Sequence, residues 1–197
     1  MKKYILSIVI GALVAVAAKQ LIIPPLADNI FNSQTSSIQW QKYLSSEGDF
    51  SVLLPGEPEQ IKKSIATENE RIIPTTIISV NLKKAEQVYL VAYSDYPFNL
   101  FGKDRDSEKI QKFLAERIKD YDRQFQGKIE EQQPKQVNAT ACIKFKSHGK
   151  KQEHLIHIKG LTCVKQNRLY QVITLTKQNN SSDINQEKFL NSFSFNK

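Results

Sequence analysis

The sequence predicts an α+β domain: a central antiparallel β-sheet flanked by helices and preceded by an N-terminal hydrophobic helix. Three observations lead there. Beyond residue 50, short apolar runs read as strands, several of them alternating with period two. Helical spacing of apolar residues is clear in only two segments of that region. Short turns join the strand runs, so hairpins dominate and no βαβ unit is present.

Met1-Lys2-Lys3 is a positive start, and Tyr4 to Ala18 is apolar except for Ser7. A helix from Tyr4 to Ile23 would run about 30 Å, the thickness of a hydrocarbon core. Pro24-Pro25 would end it. Val16-Ala17-Ala18 also offers the small side chains that signal peptidase requires. Residues 1–26 therefore read as a membrane anchor or a signal segment, and the uncleaved anchor is preferred. In both cases Lys2 and Lys3 hold the N-terminus inside and the domain outside. Residues 27–38 are polar and aperiodic and read as a tether. Residues 39–197 read as one globular domain.

The domain opens on an aromatic lead-in, Trp40 to Tyr43. Glu47-Gly48-Asp49 is turn chemistry, with Gly48 the residue expected at positive φ. Phe50 to Leu54 is a strand, and Pro55-Gly56 fits a type II turn that reverses the chain into a second strand near Gln60–Thr67. Arg71–Leu82, interrupted by Pro74, reads as an edge or bulged strand. Lys83-Lys84-Ala85-Glu86 connects it in a hairpin to Gln87–Tyr93, which is apolar on both faces and is expected to be covered on both sides.

Asp106 or Ser107 caps the clearest helix. Ile110, Phe113, Leu114, Ile118, Tyr121 and Phe125 form its buried face, and Gly127 is its expected stop. Strands follow at Lys128–Gln133, Ala141–Lys146, Glu153–Val164 and Arg168–Thr176, the last two joined by a short reversal. Asp183 then caps a final helix with Gln186 at the capping-box position, and Ile184, Phe189, Leu190 and Phe193 are its apolar stripe.

Chemistry is sparse. Formal charge is +8, and three of the 28 basic residues lie in the N-terminal segment. The remaining excess suits an acidic protein partner or an anionic membrane surface, and it is too diffuse for nucleic acid. His154 and His157 fall on opposite faces of a strand and chelate no metal together. Glu130-Glu131, Asp104/Asp106 and Asp120/Asp122 read as solvated faces or caps. No phosphate loop or nucleophile elbow occurs. No catalytic, cofactor or metal residue is assigned. Cys142 and Cys163 read as two separately packed thiols, although an exported domain permits a bridge. The contact candidates are Lys144, Lys146, Lys150, Lys151, Lys159 and Lys165 on the C-terminal strands and their loop, with the loop aromatics Tyr96, Phe98 and Phe101.

Three stretches together resemble a known group. They are the Glu-Gly-x-Phe-Ser-Val-x-Leu-Pro-Gly-x-Pro core of Trp40–Pro58, Val88 to Pro97, and Arg168-Leu169-Tyr170-Gln171-Val172 with Phe189 to Phe193. They look like a family of uncharacterised bacterial, often cyanobacterial, extracytoplasmic domains similar in fold to PsbP, the extrinsic subunit of photosystem II. Many members carry a Pro-Gly-Arg-Glu turn after the main helix, where this chain has Asn138-Ala139-Thr140-Ala141. The resemblance implies an α/β/α sandwich without catalytic residues. It also implies an accessory or assembly role at a membrane complex, in the periplasm or the thylakoid lumen. The alternatives are an exported domain that binds a small apolar molecule or lipid, and an enzyme of unknown type.

Overall fold

The computed structural model describes residues 38–66, 72–96, 107–151, 154–177 and 183–196. The strands are β1 (Gln41–Ser45), β2 (Phe50–Leu54), β3 (Glu59–Ala66), β4 (Ile72–Leu82), β5 (Gln87–Asp95), β6 (Lys128–Val137), β7 (Thr140–Lys151), β8 (His154–Lys165), β9 (Arg168–Lys177) and β10 (Ser194–Phe195). The helices are α1 (Ser107–Phe125) and α2 (Asp183–Ser192). Seven strands form one antiparallel sheet in the order β3-β4-β5-β9-β8-β7-β6. β1, β2 and β10 form a second, three-stranded sheet.

The α/β/α sandwich is therefore corrected. About 60% of the described chain is strand. α1 covers one face of the large sheet, and the other face is closed jointly by the small sheet and α2. The reason lies in pairing. Pro55-Gly56 does not close a hairpin but carries the chain from β2 in one sheet to β3 in the other. β2 pairs instead with β1 and with β10, more than 100 residues away. The expected N-terminal hydrophobic helix lies outside the described residues. Among those described, no helix is long and apolar enough to cross a membrane.

The centre of the large sheet is apolar on both sides. Val88, Leu90, Ala92, Leu169, Ile173 and Leu175 meet Leu114, Ile118, Tyr121 and Phe125 of α1. On the other face Tyr89, Val91, Tyr93, Tyr170 and Val172 meet Phe50, Val52 and Leu54 of β2, Phe189 and Leu190 of α2, and Phe193 and Phe195. Phe50 and Phe193 lie 5.4 Å apart, and Tyr170 and Phe195 lie 4.9 Å apart. The aromatic stripe of α1 is core packing, as its spacing predicts.

Local differences from the sequence expectation have simple causes. β4 is not an edge strand, because β3 covers it and places Pro74 opposite Ser64. Pro134 is tolerated because β6 is itself an edge strand and runs on to Val137. Positive φ falls on Asp49 rather than Gly48, and on Gln126 rather than Gly127. Gly127 is needed for close approach: a Cβ there would lie 2.2 Å from the His148 carbonyl oxygen. Asn138 and Ala139 both take positive φ in the two-residue β6–β7 turn, and Asn138 Oδ1 accepts a hydrogen bond from the Phe195 N–H at 3.0 Å. Ile184 is 81% exposed and does not belong to the buried stripe of α2, whereas Gln186 is buried and donates to Thr176 Oγ1.

Cys142 and Cys163 are not separate thiols. They are directly opposed on β7 and β8 and form a disulfide with no exposed surface. The bridge closes a sequence separation of 21 residues, for which loop-closure entropy gives about 3 kcal/mol. Replacing both cysteines by alanine should lower unfolding free energy by about that amount in a denaturant titration. A loss under about 0.5 kcal/mol would show that the bridge is not stabilising.

Candidate functional site

Strand alternation places Lys144, Lys146 and Lys150 of β7 and Lys159 and Lys165 of β8 on the sheet face shared with α2 and the small sheet. Lys146 and Lys159 are direct cross-strand partners, an arrangement that repels unless each finds a counter-charge. Each does. Lys146 pairs with Glu131 of β6 at 2.8 Å, and Lys159 pairs with Asp183 at the start of α2. Lys144 bonds Glu187 at 2.7 Å, and Lys135 of β6 donates to Asn191 Oδ1 at 3.1 Å. Asp183, Glu187 and Asn191 are spaced by four and form one polar stripe along α2 that lies against the lysines. Lys165 reaches Asp49 in the β1–β2 turn at 2.5 Å and lies 5.0 Å over the Phe195 ring.

The cluster that reads as a basic docking face is thus largely a seam between layers. Lys150 and Lys128 are exposed at one end of it, and Lys146 keeps 40% of its side-chain surface. Lys151 ends β7. Tyr96 is buried, packs edge-to-face on Phe113 of α1 at 5.8 Å, and has its phenol pushed above the usual range by burial. It closes the core. Phe98 and Phe101 lie outside the described residues.

Burial pulls the Lys159 ammonium below its ordinary value despite the Glu187 charge nearby. At Glu187 burial works to raise the carboxyl, but the hydrogen bond and charge of Lys144 prevail and hold it below the ordinary carboxylate value.

A second seam escaped the sequence reading. Arg168 makes a fork onto Asp95, with its Nε to Oδ1 at 2.5 Å and its NH2 to Oδ2 at 2.9 Å, and donates to the Glu47 carbonyl at 2.7 Å. Its guanidinium lies 4.8 Å over the Tyr93 ring. Burial opposes its charge, but Asp95 holds the pKa above the usual arginine value. The three stretches that carry the family resemblance meet here: the Glu-Gly-x-Phe turn, the end of β5 and the start of β9. Their shared residues fasten the small sheet to the large one.

Several other titratable groups among the described residues are also paired. His148 faces His157 across β7 and β8, a pairing sequence spacing does not reveal, and bonds Glu130 at 2.8 Å. Asp122 accepts from Ser147 Oγ at 2.7 Å and from the Ile129 N–H at 3.1 Å. Asp120 pairs with Arg117 and Arg123. Among the described residues no group of three ligands is placed to hold a metal. A groove of about 410 Å³ lies between α1 and β6, with Ala115, Pro134 and Ile143 on its floor and Glu108, Lys112 and Gln132 among its lining. It is open to solvent. A polar notch of about 210 Å³ borders Lys62, Thr76, Tyr93 and Asp95.

No protein-family model matches the chain, and no curated protein matches it. Among solved structures the chain is similar to the cyanobacterial PsbP, CyanoP, of Synechocystis sp. PCC 6803. The TM-score is 0.51 at 11% identity, covering 87% of this chain and 99% of that one. The fold is PsbP-like. Two Pseudomonas aeruginosa proteins give TM-scores of 0.36. The protein of unknown function PA94 has 10% identity and covers 75% of this chain and 88% of its own. The type VI secretion immunity protein TplEi has 9% identity and covers 66% and 47%. Scores at that level have no weight. Within this fold the Glu47 carbonyl, Asp95 and Arg168 join the two sheets, and Lys144, Lys146, Lys159 and Lys165 of the lysine face are ion-paired.

Glu187→Gln should cost about 1 kcal/mol at neutral pH, since both partners are under a third exposed and the bond is charge-assisted. Because the folded-state pKa of Glu187 is lowered, its contribution is present above the unfolded value of 4.5 and lost as pH falls through the folded one. The stability gap between wild type and variant should close on acidification, and a gap unchanged down to the acid limb would contradict the pairing.

Proposed function

We propose that this protein is a non-catalytic accessory domain, held at the extracytoplasmic side of a membrane, that binds an acidic protein of a membrane complex. The observation that carries this reading is the PsbP-like fold, which matches CyanoP across nearly its whole length. The apolar segment from Tyr4 to Ile23 supports tethering. The buried Cys142–Cys163 bridge supports an oxidising compartment, because such bridges persist outside the reducing cytosol. The likeness to PsbP directs attention to photosynthetic membranes as one setting. Binding falls to the charges that the fold leaves outward, Lys128, Lys146 and Lys150, while Lys144, Lys159 and Lys165 shape the field from within the seam. Such a face speeds encounter and loses strength with salt.

The test is a pull-down of the tagged full-length protein from its own membranes in mild detergent, at low and high salt, beside Lys128→Glu/Lys150→Glu. A defined partner set that is lost at high salt and lost in the variant is expected. The same set retained by the variant at both salts would remove this face, and the lack of a reproducible partner at either salt would count against the accessory role.

A further inference from the structure

Among the described residues, four large apolar side chains are exposed: Ile38 at 37%, Leu44 at 66%, Ile72 at 64% and Ile184 at 81%. Three of them lie on segments that converge on Trp40, the only tryptophan in the chain. Ile38 precedes it by two residues, and Leu44 lies on the outward face of β1 together with Lys42. Ile184 lies on α2, which reaches Trp40 from the far end of the sequence. It is one turn from Lys188 on the outer side of α2, and the Lys188 ammonium lies 4.7 Å over the Trp40 ring. Trp40 in turn meets Tyr89 edge-to-face at 5.9 Å, so its position is fixed by the core.

A half-buried tryptophan, two exposed lysines and exposed isoleucine and leucine form the composition of a membrane interface, where aromatic rings sit at head-group level and lysines stay with the phosphates. The location agrees with the composition. The apolar run ending at Ile23 joins the domain here, through fewer than twenty residues. Among the described residues the fourth exposed apolar side chain, Ile72, stands apart at the start of β4.

We propose that Ile38, Trp40, Lys42, Ile184 and Lys188 form a contact surface that seats the domain against an anionic bilayer, with α2 and β1 towards the lipid. This rests on the tethering reading above and deepens it, because it fixes which side faces the membrane. The Lys128/Lys150 end of the sheet is then left for the protein partner.

The single tryptophan is the probe. Full-length protein is reconstituted into phosphatidylcholine vesicles with and without phosphatidylglycerol. Flotation reads tethering, and quenching of Trp40 by shallow brominated lipid against aqueous iodide reads seating. The expected result is flotation at all salts, with lipid quenching of Trp40 that is stronger with phosphatidylglycerol. Ile184→Asp, which leaves Trp40 and the tether intact, should shift the seated-to-free ratio by about tenfold. Lys63→Glu on the edge strand β3 should leave it unchanged. Protein that floats but whose Trp40 is open to iodide and indifferent to Ile184→Asp would overturn the surface while sparing the tether. Protein that does not float would overturn both.

Discussion

Strands β5 and β9 are apolar on both faces, and neither face can be left to water. That constraint organises the molecule. One face is met by α1, whose Leu114, Ile118, Tyr121 and Phe125 cover it directly. Among the described residues no long helix is available to the other. It is closed instead by segments from the two ends of the domain, β1 and β2 from the beginning and α2 and β10 from the end. These meet each other as well as the sheet: the Leu53 N–H donates to Ser192 Oγ at 2.8 Å, and Phe50 packs on Phe193. Each part of this cover is too short to stand alone, so its stability comes from tertiary burial.

Electrostatics follow from the same closure. α2 is short and only three of its residues are buried, Gln186, Phe189 and Leu190. Its polar stripe compensates by binding lysines of β6, β7 and β8. The small sheet is fastened at its turn by Arg168 and Lys165. A surface that looks strongly basic in one dimension is therefore close to neutral in its middle and positive at one end. Partly buried pairs of this kind add modest stability but fix orientation, since leaving either charge unpaired is costly.

Much of the large sheet was legible. The β4–β5 and β8–β9 hairpins followed from their turns, and α1 followed from its apolar spacing, because both signals are local. The second sheet was not, because nothing local tells Pro55-Gly56 to cross between sheets, and because residues 50–51 pair with residues 194–195. Ile184 falls outside the buried stripe of α2 for a geometric reason: it lies about 140° around the helix from Phe189. The disulfide and the ion pairs depend on cross-strand register, which the sequence does not state. The lysines of the candidate site were found by composition, but the acids that occupy them come from β6, α2 and the β1–β2 turn. In the sequence Trp40 shows only as an aromatic lead-in, since its contact with Lys188 spans nearly the whole domain.

The central claim is that the two ends of the domain close the second face as one unit. Hydrogen exchange on Phe195→Ala tests it most directly, because Phe195 lies in β10 and touches both Tyr170 and Phe193. The account predicts that amide protection falls together in β2, α2 and β10 by a similar factor, while β4, β5 and the α1 side keep theirs. Protection lost in β10 alone, with β2 and α2 unchanged, would contradict it.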